Sequence, residues 1–189
     1  MRKKDPNKRE ELLSVCFDCF CKYGIEATST LKLAEACGMS SGNIFHYFRS
    51  KDEIIIESTA YCMAKVEDDF MQHAPENFDD IKRFLKEVPY WTAKQHGEKY
   101  RFMYQVYTSP QYRQYGKEFF KGVRERYTDY AKSLEPKLGI PWRVLQSLIY
   151  IFVRASVHYA LFEDEEYLLA QTRLLEDMLP LIGEKYNAK

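Results

Sequence analysis

Apolar side chains recur at helical spacing along almost the whole of this 189-residue chain. No run alternates apolar with polar residues for long enough to make a strand, and no hairpin signal interrupts the pattern. Leu12, Leu13, Cys16, Phe17 and Phe20 form one stripe, and Ile81, Phe84, Leu85 and Val88 form another at i, i+3, i+4 and i+7. Phe119, Phe120, Val123, Tyr127 and Tyr130 form a third. The 8 glycines and 7 prolines fall mostly between such stripes, where helices end. The expected fold class is all-α, with about nine helices. Asp5-Pro6 caps and opens the first helix, and Gly24 closes it. Short helices are expected at about 30–37 and 41–47. Ser50-Lys51-Asp52-Glu53 is a capping box for a longer helix that reaches about Met71. Pro89 is expected to kink or split the following helix and Gly97 to end it. Ser109-Pro110 starts another, and Gly139 and Pro141 separate that one from Trp142–Phe162. A final helix from Glu165 is expected to stop near Leu179, before Pro180 and Gly183.

The segment after Thr30 has a different character. Leu33, Ala34 and Cys37 give its first short helix one apolar edge, and Gly38 stands where a tight turn needs positive φ. Met39 points back inward, and Ser40 can cap the next helix. In that helix Ile44 and Phe48 face inward, which leaves Ser40, Ser41, Asn43, His46 and Tyr47 outward. Two short helices joined by a glycine turn make a helix-turn-helix. An outer face of short hydrogen-bonding side chains is what base edges and phosphates in a major groove require. Charge points the same way. Lys plus Arg and Asp plus Glu balance at 28 each over the chain, yet residues 1–51 hold nine basic and six acidic side chains. That excess favours an anionic partner for the first quarter.

The pattern T-S-x4-A-x-A-C-G-x-S-x-G-x-I-F-H-Y-F-x-S-K-x-E, beginning at Thr28, resembles the N-terminal signature of TetR-family transcriptional regulators. Phe20 to Gly24 supplies the FxxYG-like stretch before it, so the resemblance spans about residues 8–58. It implies a helix-turn-helix domain over 1-50 and a helical ligand-binding and dimerisation domain over 51-189. It further implies that Ser40, Ser41 and Asn43 lie over bases, while Ser29, His46, Tyr47 and Lys51 meet phosphates. Physics supports Lys51 independently, because a helix N-terminus attracts phosphate and lysine adds a full charge. Arg2, Lys3 and Lys4 could add contacts from an arm. Three departures bear on specificity: Ser41 stands where a basic residue is frequent, Phe45 where tyrosine is frequent, and Lys32 where an acidic residue is common.

Such regulators typically release DNA when a small molecule enters the larger domain, and double-stranded DNA, an effector and a second copy of the chain are the partners implied. Residues 90–130 carry many rings able to line a pocket for an aromatic or cationic ligand, with Trp91, Phe102, Tyr104, Tyr107, Phe120 and Tyr127 the candidates. Arg154 interrupts the apolar run IYIFVRASVHYALF, and a buried arginine there needs an anionic mate across the dimer or on the ligand. Leu145, Leu148, Ile149, Phe152, Leu168, Leu169, Leu174, Leu175, Met178 and Leu179 offer apolar surface for dimerisation. The alternative is a DNA-binding architectural or cell-division factor that uses the larger domain for protein contacts.

Other classes find little support. The histidines at 73, 96 and 158 belong to no catalytic motif, so no enzyme is expected. Cys16, Cys19 and Cys21 do not share one helical face with a histidine and read as small apolar side chains, with a redox sensor as the less favoured reading; no metal or cofactor is expected. MRKKDPNKREE lacks the apolar core of a secretory signal, and no hydrophobic stretch is expected to approach the ~18–20 residues of a membrane span. These features lead to a cytoplasmic expectation.

Overall fold

The computed structural model describes residues 6–186, the side chains of Pro6, Phe78 and Asp79 excepted. The expected cap Asp5 and the basic residues Arg2, Lys3 and Lys4 lie outside the described residues. Among the described residues there are eight helices and no strand: α1 Pro6–Tyr23, α2 Thr30–Ala36, α3 Ser41–Ile44, α4 Lys51–Gln72, α5 Phe78–Thr108, α6 Arg113–Leu138, α7 Trp142–Phe162 and α8 Glu165–Tyr186.

Two helices outrun their expected ends. α5 continues through Pro89 and Gly97, and α8 through Pro180 and Gly183. A proline inside a helix removes one hydrogen bond and costs about 3 kcal/mol. Leu85 and Val88, immediately before Pro89, are buried in an apolar cluster with Phe70, Phe152, Leu175 and Leu179. Burying such side chains contributes ~1.5–3 kcal/mol each, so tertiary packing overrides the local signal. Leu179 and Ile182 do the same on either side of Pro180. The start of α6 also differs: Ser109-Pro110 forms a turn, and the helix begins only at Arg113.

The chain divides into two compact units, Met1–Asp68 with Arg101–Phe119 and Asp69–Tyr100 with Phe120–Lys189. This differs from a boundary after residue 50. The first part of α4 belongs with α1: the Tyr61 hydroxyl donates to Glu10 at 2.9 Å, and Arg9 pairs with Glu53 and Glu57. Phe102 belongs there too, stacked on Phe20 at 5.7 Å and edge-on to Phe17 at 5.4 Å. In the same unit Gly116 lies so close to Tyr107 that an added Cβ would sit 2.7 Å from the tyrosine Cβ.

In the second unit α7 packs against α8. α7 is long and apolar enough, by length and composition, to cross a membrane, contrary to the expectation from sequence. It buries Leu145, Phe152, Ala155, Val157 and Ala160. Five residues expected at a dimer interface, Leu145, Phe152, Leu168, Leu175 and Leu179, are core of the protomer. Leu174 is exposed at 48%, and Phe162 and Leu181 are more so, at 68% and 66%.

Candidate nucleic-acid interface

The surface around α2 and α3 is built by local hydrogen bonds that its sequence specifies. Gly24, at φ 78°, ends α1, and the Thr28 hydroxyl donates to the Gly24 carbonyl at 2.6 Å. Ser29 caps α2 by accepting the Lys32 amide at 3.2 Å. α2 ends at Cys37, and Gly38 follows at φ 65°. The Met39 amide reaches Ala34 at 2.9 Å and the Gly38 amide reaches Glu35 at 3.0 Å. This is the paired 6→1 and 5→2 bonding of a Schellman motif, which needs a residue tolerant of positive φ. Ser40 then caps α3 by accepting the Asn43 amide at 3.3 Å.

α3 is four residues long rather than the seven expected, and it relaxes into single turns. The His46 amide bonds Asn43 at 3.1 Å and the Tyr47 amide bonds Ile44 at 3.0 Å. These tighter i→i+3 bonds keep the chain helical in direction as far as Phe48. Ile44 and Phe48 are fully buried and anchor the element. Ser40, Asn43 and His46 are exposed, whereas Ser41 and Tyr47 are half-buried and Phe45 is 44% exposed. One face of α3 therefore holds the core while the opposite face offers hydroxyl, amide and imidazole groups to solvent.

The flanking groups are less uniform. Ser29 is exposed beside the α2 cap. Lys51 opens α4, yet its Nζ donates to the Ile25 carbonyl at 2.6 Å, so the ammonium also ties α4 to the α1–α2 loop. The Glu53 amide donates to Ser50 at 3.1 Å, and the Glu53 carboxylate accepts the Arg49 amide. This is a capping box displaced by one residue on its return arm. One basic feature escaped the sequence reading. Lys32 lies over the Tyr23 ring at 3.4 Å, with Lys22 at 5.1 Å from the same centroid. Lys32 registers in sequence only as a missing acidic residue, because the approach of Tyr23 depends on how α1 crosses α2.

In the second unit an apolar cavity of ≈ 80 Å³ is lined by Phe70, Phe84, Tyr127, Tyr130, Leu148 and Phe152 among others. Among the described residues no charged side chain lines it. Burial pushes the Tyr130 hydroxyl above its ordinary pKa, and that hydroxyl donates to the Pro75 carbonyl at 2.6 Å. Of the ligand candidates Tyr127 lines this cavity. Phe102, Tyr104 and Tyr107 belong to the first unit, where Phe102 packs on α1 and Tyr107 packs against Phe119 at 5.4 Å. Trp91 stacks on His73 at 4.0 Å instead, and Phe120 is half-buried away from the cavity wall. Arg154 is exposed rather than buried, because it falls on the face of α7 opposite Phe152 and Ser156.

Comparison with known proteins fits this geometry. The family model described as "Bacterial regulatory proteins, tetR family" matches residues 12–57. The chain is 31% identical over 108 residues to the HTH-type transcriptional repressor AcnR of Corynebacterium glutamicum, a match covering 48% of this chain and 57% of that one. It thus spans little more than half the length of that relative. In fold it is similar to the reduced form of E. coli NemR, with a TM-score of 0.66 at 17% identity over 90% of this chain and 96% of that chain. FadR from Bacillus subtilis in complex with stearoyl-CoA is similar with a TM-score of 0.56 at 16% identity, over 89% of this chain and 96% of that one.

Proposed function

We propose that this chain, which belongs to the TetR family through its N-terminal helix-turn-helix domain, is a cytoplasmic repressor that a small molecule releases from a palindromic operator. The observation that carries the DNA-binding half is the two-faced α3: Ile44 and Phe48 buried, Ser40, Asn43 and His46 exposed. Asn43 offers the bidentate amide suited to adenine, and Ser40 a hydroxyl able to meet either groove partner. Ser41 and Tyr47 sit at the edge of the same face. Ser29 and the Lys22, Tyr23 and Lys32 group flank it with hydroxyl and cationic groups suited to backbone phosphate.

The ligand half rests on the apolar cavity. Its volume is several times the ~10–15 Å³ needed for one water, and its walls offer a water almost no partners. A neutral apolar molecule or an acyl chain suits it better than a cation, because among the described residues no carboxylate lines it to balance a charge. The stearoyl chain bound by FadR is of that chemical kind, although among the described residues no basic side chain lines the cavity here to hold the phosphates of coenzyme A. The chain acts as a dimer in this reading, with the exposed Phe162, Leu174 and Leu181 as its apolar contacts.

In vitro selection of duplex DNA with the purified full chain tests the reading. The expected product is an inverted repeat with half-sites about one helical turn apart. Recovery of no common sequence, with affinity governed by salt alone, would reject it.

A further inference from the structure

Five cysteines fall in the first 62 residues, and two of them meet between α1 and the end of α2. Cys16, on α1, is completely buried, while Cys37, the C-cap of α2, is half-buried. Their sulfurs are 3.7 Å apart and joined by a thiol hydrogen bond. The two thiols are chemically unequal. The hydrogen bond with Cys16 and the nearby Lys8 ammonium favour the Cys37 thiolate and lower its pKa, whereas the same pairing, together with burial, holds Cys16 protonated. A thiolate reachable from solvent, beside a second thiol that is shielded, is the arrangement of an attacking and a resolving cysteine. α1 and α2 need only a modest approach of the two sulfurs to reach the ~2.05 Å of a disulfide.

We propose that Cys16 and Cys37 form a reversible, hydroperoxide-driven disulfide that locks the turn of the reading head and lowers DNA affinity. In the first step the Cys37 thiolate attacks the outer oxygen of a hydroperoxide. The O–O bond breaks, the alcohol leaves with a proton from water, and Cys37 becomes a sulfenic acid. The Cys16 sulfur then attacks the Cys37 sulfur, the S–O bond breaks, and the departing hydroxide takes the Cys16 proton and leaves as water. Two thiols and one hydroperoxide give one disulfide, one alcohol and one water, with two electrons passing from sulfur to oxygen. Cys37 directly precedes Gly38 in the Schellman turn that orients α3. Drawing its sulfur toward α1 in a close-packed interior shifts that turn, since such interiors transmit small displacements.

The consequence for DNA rests on the proposed function, but formation of the bond does not. The full chain with Cys19, Cys21 and Cys62 replaced by alanine is treated with hydrogen peroxide, blocked with iodoacetamide and mapped by mass spectrometry. One Cys16–Cys37 link per chain is expected, reversed by dithiothreitol. In the Cys16→Ser variant of the wild-type chain, dimedone should trap a sulfenic acid at Cys37. If the triple variant does not fold, fragment spectra of the oxidised wild-type chain identify the linked pair. Two retained thiols, a link joining any other pair, or dimedone labelling elsewhere overturns the proposal. Affinity for a duplex selected by the reduced chain should fall roughly tenfold on oxidation, within the range of typical site-to-site coupling, and recover on reduction. An oxidised, linked chain that binds as tightly as the reduced one overturns the regulatory part, while a reduced chain that selects no duplex rejects the function and leaves the linkage result intact.

Discussion

Ser40 and Asn43 share one hydrogen bond, yet substitutions at the two positions have separable expected outcomes. The Ser40 hydroxyl accepts the Asn43 amide, so Ser40→Ala should destabilise the chain by about 1 kcal/mol in urea titration as well as alter base preference. Asn43→Ala leaves that bond in place, because the bond uses the backbone of residue 43. It should relax preference by about 1–3 kcal/mol at one base pair per half-site, read by competition with mutated duplexes, and leave stability unchanged. Lys51→Ala should weaken binding to all duplexes alike and flatten the salt dependence by about one charge. It should also cost about 1 kcal/mol of stability, because the bond to the Ile25 carbonyl is lost. The cap at Ser40 and the exposure of Ser40 and Asn43 were legible in sequence because caps, glycine turns and a short apolar stripe act over three to five positions. The anchoring of Lys51 was not, since Ile25 lies 26 residues away.

Among the elements, those bounded by capping residues and glycine turns follow local signals, and those with proline in their interiors do not. α1 begins at Pro6 and ends at Gly24, and α7 begins after Pro141 but ends at Glu163, a left-handed residue that no glycine announces. α5 and α8 carry proline in their interiors because the apolar residues around it are held in the core. No local pattern reports that balance, which depends on partners distant in sequence. The contact of Gly116 with Tyr107 is of the same kind. A helical glycine replaced by alanine ordinarily gains up to ~1 kcal/mol. Here the new Cβ would meet the tyrosine Cβ at 2.7 Å, with the Tyr107 carbonyl oxygen at 3.1 Å, and neither atom is a flexible end. Gly116→Ala should therefore lower stability by about 1–3 kcal/mol, measured by chemical denaturation. Tyr112 joins the same unit to α4 through a 2.6 Å bond to Asp52, and burial with that carboxylate pushes its pKa up to about 12. Its contribution is complete below the ordinary tyrosine value of about 10 and is lost as pH rises from there toward about 12. Tyr112→Phe should remove this alkaline loss, as seen in unfolding transitions across that range.

For the molecule as a whole, pH should act through His96. Burial lowers its pKa, although Asp69 accepts at 2.9 Å, and its Nδ1 has no hydrogen-bond partner among the described residues. A histidine with a depressed folded pKa contributes fully above its ordinary value of about 6.5 and progressively less as pH falls toward the lower one. The wild-type melting temperature should accordingly fall between about pH 7.5 and 5.5, and His96→Phe should flatten that fall. The apolar rings of the larger part were legible in sequence as a set, but their division between core, cavity and surface was not. Phe102 went to the N-terminal core and Tyr127 to the cavity because helix crossings, rather than composition, sort them.

The packing of Phe102 against Phe17 and Phe20 means that the head is not a detachable cassette. A fragment cut after residue 68 would bare two phenyl rings to water and should aggregate unless Arg101–Phe119 is supplied as a separate peptide. Any chimera that transplants this head onto a foreign effector domain must carry both pieces of chain, which makes the recombination site a pair of joints.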